Sequence, residues 1–155
     1  MSEQFMREAI RLSLEKMREG LGGPFGAVVV KNGEVIARGW NQVTSTLDPT
    51  AHAEIVAIRQ ACQRLGDFRL NGCELYTSCE PCPMCLSAIY WARFDRFYFA
   101  AARADAAEAG FDDDFLYREM ALPLPGRKLP CRQLLREAAR PAFAEWKAKL
   151  DKVPY

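Results

Sequence analysis

Two short segments carry the residue types that could hold a metal ion. The chain's single histidine stands in segment 52–54 (HAE), and segment 79–85 (CEPCPMC) holds three of its six cysteines. Zinc in catalytic sites takes three nitrogen, sulfur or oxygen ligands and keeps a fourth position open for water. His52, Cys82 and Cys85 supply such a set, since a Cys-x-x-Cys pair opening a helix brings both sulfurs to one ion. We therefore predict a catalytic zinc site.

Glu54 completes the chemistry of this site. It lies two residues after His52, close enough to reach a zinc-bound water without being a ligand. A carboxylate in that place can take a proton from the water and pass it to a substrate. The pattern H-x-E…P-C-x-x-C is the signature of zinc-dependent nucleobase deaminases, and this chain reads HAE…PCPMC. The sequence therefore predicts a hydrolytic deaminase.

The same residues allow plainer interpretations. A lone histidine is more often a core or surface residue than a ligand. The cysteine pair in segment 79–85 could be a redox dithiol, but that leaves the histidine and Glu54 unexplained. A closed structural zinc site would also leave Glu54 without a role. Its fourth ligand would come from Cys73, Cys79 or Cys131.

Composition argues against several partners. The 155 residues include 21 Lys+Arg and 20 Asp+Glu, a net charge of +1, so no long-range field attracts a nucleic acid. No apolar run approaches the roughly 18 residues of a membrane span. The N-terminus lacks the pattern of a secretory signal. We expect one domain in the cytoplasm, with reduced cysteines and no membrane or nucleic-acid partner.

Periodic patterns predict the elements that position these segments. Apolar residues at three- and four-residue steps predict a helix over 4–19. Asn32-Gly33 between apolar runs predicts a hairpin of strands 26–31 and 34–40. The other predicted elements are a loop over 41–50, helices over 51–65, 81–92 and 141–150, a loop and short helix over 110–121, and strands over 73–77, 94–101 and 127–134. A hairpin followed by strand–helix alternation predicts an α/β fold with a mixed sheet.

Longer stretches carry a family resemblance. The chain has PFGAVV at 24–29, an asparagine at 41, DPTAHAEIVAIRQAC at 48–62, LYTSCEPCPMCLSAIYWAR at 75–93 and AAEAGFDDDF at 106–115. Together they resemble the cytidine/deoxycytidylate deaminase superfamily and, within it, bacterial guanine deaminases. The resemblance implies a three-layer α/β/α sandwich around a five-stranded mixed sheet. It also implies the zinc-dependent hydrolytic deamination of a purine base, guanine, to xanthine and ammonia.

The resemblance further implies residues around the substrate. Asn41 would hydrogen-bond the purine, and Asp113 would contact its edge and help to carry protons to the leaving ammonia. Within the acidic run 112–114, the residue that has this role could be one position earlier or later. The plainer interpretation is that the run is a solvated acidic loop. Phe25 and Trp91 would form aromatic walls for a flat base, although each could equally be a core residue.

The C-terminal segment is the last feature of the resemblance. In similar guanine deaminases this segment crosses to the other subunit and closes its active site. Residues 122–130 hold three prolines and a glycine, a composition that fits a semi-rigid arm. The resemblance thus implies a homodimer that swaps about residues 122–155 and a substrate-binding role for Tyr155, which would otherwise fray.

Three other functions stay open at this stage. A tRNA adenosine deaminase shares the zinc motif, but it must grip RNA, and the near-zero net charge argues against that. The substrate could be another small aminated ring, namely guanosine, cytosine or an aminotriazine. The chain could also be a non-catalytic, zinc-stabilised interaction module, although the intact Glu54 speaks against this reading.

Overall fold

The computed structural model describes residues 2–155, which divide into a first unit ending at Tyr117 and a second unit, Arg118–Tyr155. The helices and strands are α1 (Ser2–Arg18), β1 (Gly26–Lys31), β2 (Glu34–Trp40), α2 (Val43–Thr46), α3 (Ala53–Leu65), β3 (Cys73–Cys79), α4 (Pro83–Trp91), β4 (Arg96–Ala101), α5 (Arg103–Glu108), α6 (Asp113–Ala121) and α7 (Arg136–Ala148). The chain is therefore α/β, as predicted.

One mixed sheet forms the centre of the first unit. Its strand order is β2-β1-β3-β4. β1 pairs antiparallel with β2 and with β3, whereas β3 and β4 are parallel. The predicted hairpin is confirmed: Asn32 and Gly33 have φ of 52° and 79°, which an Asn-Gly pair tolerates with little strain.

Helices cover both faces of this sheet because side chains alternate along a strand. Val28 of β1 is buried in a cluster with Leu12 of α1. Its neighbour Val29 points the other way, into a cluster with Ala57 of α3 and Ile89 of α4. This arrangement produces the helix–sheet–helix layering that the family resemblance implied.

The predicted fifth strand over 127–134 is wrong. In residues 2–155 the sheet has four strands, and positions 127–135 have neither strand nor helix. Pro130 has no N–H to donate, so it disfavours the interior of a strand. The final helix starts at Arg136 rather than at Pro141. Two short helices, α2 and α5, were not predicted, because four to six residues are too few to establish a helical period.

The second unit has little core of its own. A 3-10 turn at Leu124–Gly126 is followed by α7. Arg127 stabilises the turn, because its guanidinium donates hydrogen bonds to the carbonyls of Leu122 and Met120. Large apolar side chains such as Phe143 stay exposed. Among the described helices, none has the length and apolar character to cross a membrane.

Candidate active site

Three side chains converge on a point that fits a zinc ion. Nδ1 of His52 lies 3.6 Å from Sγ of Cys82 and 3.5 Å from Sγ of Cys85. All three ligand atoms lie within 4.8 Å of one another. A tetrahedral zinc ion with ordinary bond lengths separates its nitrogen and sulfur ligands by about 3.6 Å. The observed spacing is therefore the spacing that a shared zinc ion requires.

The ligands stand where two helices begin. His52 is the N-cap of α3 and Cys82 is the N-cap of α4, both with extended backbone. Pro83 follows in the first turn of α4, where its missing N–H leaves no intrahelical bond unmade. Cys85 lies in the same turn. Both helices direct their positive ends at the site, which favours thiolates there.

The two thiols have opposite pKa shifts because they share a proton. A hydrogen bond from Cys85, supported by His52, lowers the pKa of Cys82 to about 4. The same contact, together with burial, raises the pKa of Cys85. One thiolate therefore forms readily at neutral pH. A divalent cation favours the second, since metal binding releases the protons of its ligands.

Glu54 lies beside the metal ligands and is not one of them. It is only 5% exposed, and its Oε2 lies 3.5 Å from Sγ of Cys85. Its other oxygen, Oε1, accepts a hydrogen bond from the Thr77 hydroxyl at 3.1 Å. Burial raises the pKa of Glu54, so this carboxylate takes up a proton more readily than an exposed one. Such a group suits general acid–base chemistry.

A cavity of about 470 Å³ opens onto these residues. His52, Glu54 and Cys82 form the part of its wall that carries the metal chemistry. Further walls come from Phe25, Asn41, Glu80, Phe111 and Asp113. The volume lies in the usual range for sites that bind small molecules.

The orientation of Asn41 is set by the loop around it. Its Oδ1 accepts hydrogen bonds from the backbone amides of Gly23 and Val43, both at 3.2 Å. Close approach requires a glycine at position 22, where a Cβ would lie 1.9 Å from the Asn41 carbonyl oxygen. Because Oδ1 already accepts two hydrogen bonds, the side-chain NH2 group of Asn41 is the part that remains for a ligand. Asn41 therefore offers hydrogen-bond donors to the cavity.

Of the acidic run 112–114, it is Asp113 that lines the cavity. Asp112 precedes α6 and accepts a hydrogen bond from the backbone amide of Phe115 at 3.0 Å, which is the geometry of a helix cap. Asp113 then occupies the first position of the helix. Burial raises the pKa of Asp113, and the nearby Cys82 adds to the effect.

Contacts to the metal-binding loop hold this acidic segment in place. The hydroxyl of Tyr117 donates to the carbonyl of Pro81 at 2.8 Å. The backbone amide of Arg103 donates to Oε2 of Glu80 at 3.1 Å, and its guanidinium lies 4.7 Å from the centre of the Tyr117 ring. The start of α6 is thus tied to the residues just before the metal-binding cysteines.

Two phenylalanines form the aromatic wall of the cavity. Phe25 and Phe111 meet edge to face, with ring centres 4.8 Å apart at 83°. Trp91, expected as a second aromatic wall, does not line the cavity and is 58% exposed. It ends α4, and a helix rises 1.5 Å per residue, which places Trp91 about 13 Å along the axis from Cys82.

Two residues of the site, Phe111 and Thr77, were not predicted from the sequence. Phe111 directly precedes the acidic run and could have been found from it. Tyr155 ends the second unit and is 73% exposed. Its expected contact with substrate stays a prediction that involves a second copy of the chain.

Known proteins share this arrangement. Residues 1–101 match the family model of the cytidine and deoxycytidylate deaminase zinc-binding region. The chain is 51% identical over 153 residues to the guanine deaminase of Bacillus subtilis, covering 99% of this chain and 98% of that protein. The X-ray structure of guanine deaminase from Bacillus subtilis matches with a TM-score of 0.95 and 52% identity, over 99% of this chain and 98% of that one.

A second group of relatives matches over a shorter stretch. The tRNA-specific adenosine deaminase of Aquifex aeolicus is 43% identical over 99 residues, 64% of this chain and 65% of that protein. The family model covers the region that contains His52, Glu54 and the cysteine pair. The ligand geometry and the family model agree, and the chain belongs to the cytidine and deoxycytidylate deaminase family, with a zinc-binding region in its first 101 residues.

Proposed function

We propose that this protein is a zinc-dependent guanine deaminase, which converts guanine and water into xanthine and ammonia. The observation that carries the proposal is the similarity to a guanine deaminase along 99% of the chain, whereas the tRNA deaminase covers 64%. Phe111 and Asp113, which line the cavity, lie beyond residues 1–101, the stretch that the family model matches.

The cavity suits the hydrogen-bonding edges of guanine. Guanine carries acceptors at O6 and N7 and a donor at its amino group. The amide of Asn41 offers donors, and the carboxylate of Asp113 offers acceptors. The edge-to-face pair of Phe25 and Phe111 provides an apolar surface for a flat ring. A single cavity therefore holds matching groups for recognition and for reaction.

Zinc held by His52, Cys82 and Cys85 would activate a water molecule as the nucleophile by lowering its pKa toward about 7. Glu54 accepts the proton of that water and passes it to a ring nitrogen, which makes the amine-bearing carbon more electrophilic. The water oxygen bonds to that carbon, and the second proton of the water is carried by Glu54 or Asp113 to the amino group. The carbon–nitrogen bond then breaks and ammonia leaves, while the first proton stays on the ring nitrogen of the product. One water is consumed for each ammonia released.

Ammonia release by the purified protein tests this proposal. The substrates are guanine, guanosine, adenine, cytosine, an aminotriazine and a tRNA anticodon stem-loop, each with the zinc content of the protein recorded. We expect guanine to be turned over fastest. If another substrate is deaminated and guanine is not, the substrate assignment is wrong, but the assignment as a zinc-dependent deaminase stands. If no substrate releases ammonia, the proposal is overturned.

We further propose that residues from about 122 onward are exchanged between the subunits of a homodimer and that Tyr155 closes the partner's cavity. Apolar side chains of the second unit support the exchange: Phe143, Leu135 and Val153 are all exposed. Exposed apolar surface of this kind is typical of an interface. The Tyr155 ring would add an aromatic group near the base.

We propose a cytoplasmic location as well. All six cysteines are free thiols, which is the state that a reducing compartment maintains. Fractionation of cells that express a tagged protein tests this location, and recovery in a secreted fraction would contradict it.

A further inference from the structure

The carboxylate of Glu54 is held by a hydroxyl that the reaction scheme does not use. Thr77 lies in β3 and is 1% exposed, and its Oγ1 donates to Oε1 of Glu54 at 3.1 Å. The other oxygen, Oε2, lies 3.5 Å from Sγ of Cys85. The two oxygens of one carboxylate therefore face different ways: Oε1 is anchored to the sheet, and Oε2 faces the metal ligands.

The glutamate side chain does not fix this orientation by itself. The last torsion of a glutamate is broad, so the plane of its carboxylate can turn with little cost. A hydrogen bond to an ionised oxygen is about twice as strong as one between neutral groups. The carboxylate also accepts a hydrogen bond from the backbone amide of Glu54 itself, and the bond from Thr77 adds a second, directional anchor in a buried site. Thr77 supplies it from outside the helix that carries Glu54.

The strand keeps the hydroxyl in one place. Thr77 is paired across the sheet with Ala27 of β1 and with Phe99 of β4, so its backbone is held on both sides. The next residue, Ser78, points the opposite way, and its hydroxyl accepts a hydrogen bond from the backbone amide of Gly26 at 3.0 Å. Strand alternation thus assigns position 77, and not 78, to the carboxylate of Glu54.

We propose that Thr77 is a positioning residue, which holds Oε1 of Glu54 so that Oε2 faces the point where water is activated. The inference rests on the proposed function, because it takes Glu54 to be the group that moves the proton. A misplacement of about 1 Å in a catalytic group can lower a rate about 100-fold. Loss of the Thr77 hydroxyl therefore acts on kcat, while the cavity that binds substrate is unchanged.

Thr77→Val and Thr77→Ser test the role together. Valine has the shape of threonine without the donor, and serine keeps the donor. We expect Thr77→Val to lower kcat about 10- to 100-fold with KM changed less than about twofold and zinc content unchanged, and Thr77→Ser to stay within about threefold of the wild type. Ser13→Ala is the control, because it removes a hydroxyl bonded to the Ile10 carbonyl within α1 and should leave kcat unchanged.

Crystal structures of the zinc-loaded proteins give a readout that does not depend on activity. We expect the Glu54 carboxylate to be rotated or split between conformers in Thr77→Val and to keep its wild-type position in Thr77→Ser. An unmoved carboxylate, or an unchanged kcat in Thr77→Val, would overturn the proposal. Equal losses of activity in Thr77→Val and Thr77→Ser would overturn it as well.

The two proposals can fail separately. If the wild type releases no ammonia from any substrate, the proposed function fails, and the position of the carboxylate in the Thr77→Val crystal still decides the role of Thr77. If Thr77→Val does not fold, Thr77→Ala replaces it with the same readouts, since a smaller side chain avoids any clash in the strand.

Discussion

Nδ1 of His52 lies 3.5 Å from Sγ of Cys85, although 33 positions separate the two residues in the chain. The contact arises because α3 and α4 pack on the same face of the sheet, where residues of both helices share one buried cluster. Each helix begins at the site, so one ion would join two elements that are distant in sequence. The integrity of the site and the packing of these helices are therefore linked.

Loss of a ligand should remove the metal. We expect Cys85→Ser to reduce bound zinc from about one per chain to below about a tenth, because three protein ligands are needed for tight binding. Elemental analysis of the purified protein measures the bound zinc, and the melting temperature should fall as the zinc is lost. Cys131→Ser is the control, since Cys131 is exposed in the second unit. Zinc lost from the control and kept by Cys85→Ser would refute the ligand assignment.

Replacement of the general base should separate chemistry from metal binding. Glu54→Gln preserves shape and can still accept the hydrogen bond of Thr77, but it cannot take a proton at neutral pH. We expect kcat to fall about 10²- to 10⁴-fold with zinc retained. Glu34→Gln serves as the matched control, because Glu34 is an exposed residue at the start of β2. If Glu54→Gln also lost its zinc, Glu54 would be a structural part of the metal site.

The fixed orientation of Asn41 predicts a difference between two substitutions. Asn41→Asp keeps an acceptor for the amides of Gly23 and Val43 but exchanges the donor for an acceptor. We expect kcat/KM for guanine to fall about 10- to 100-fold while unfolding free energy changes by less than about 1 kcal/mol. Asn41→Ala should lose both activity and stability. Wild-type activity in Asn41→Asp would mean that the amide does not donate to the base.

The wall formed by Phe25 and Phe111 predicts an effect on substrate affinity. Phe111→Leu removes a ring from an edge-to-face pair that lines the cavity. We expect KM for guanine to rise about 3- to 10-fold with a smaller change in kcat, as aromatic pairs contribute about 0.5–1.5 kcal/mol. Steady-state kinetics measure KM and kcat, and Phe68→Leu is the control, because Phe68 is a half-exposed residue in the loop between α3 and β3. An unchanged KM would exclude Phe111 from binding.

Mixed dimers test the exchange of the C-terminal segment. Two variant chains are co-expressed. The first carries Glu54→Ala, which inactivates its own site, and keeps Tyr155; the second keeps Glu54 and lacks Tyr155. If Tyr155 closes the partner's cavity, one of the two sites in the mixed dimer contains both groups, and the activity per dimer should return to about half of the wild-type level. No recovery in isolated mixed dimers would place the tail on its own subunit, and a monomeric wild type would exclude the exchange.

Local patterns predicted most of the elements that surround the site. The hairpin at Asn32-Gly33 and the helix ending before Gly66 follow from turn and cap residues, which act within a few positions of the chain. The strand over 127–134 failed for a different reason. The apolar residues of this segment do not indicate whether a neighbouring strand is present. A strand forms only where a neighbour accepts its backbone hydrogen bonds.

The sequence alone predicted the ligand set His52, Cys82 and Cys85 and the role expected of Glu54. The two cysteines lie within one helical turn of each other, and the pattern H-x-E…P-C-x-x-C, typical of zinc-dependent nucleobase deaminases, adds the histidine and the glutamate. Only the tertiary structure decided that Asp113 of the acidic run lines the cavity, that Phe111 rather than Trp91 does so, and that Thr77 holds Glu54. These relations join side chains on different elements. They depend on the direction of each side chain and on how helices pack against the sheet, and neither is encoded in residue spacing.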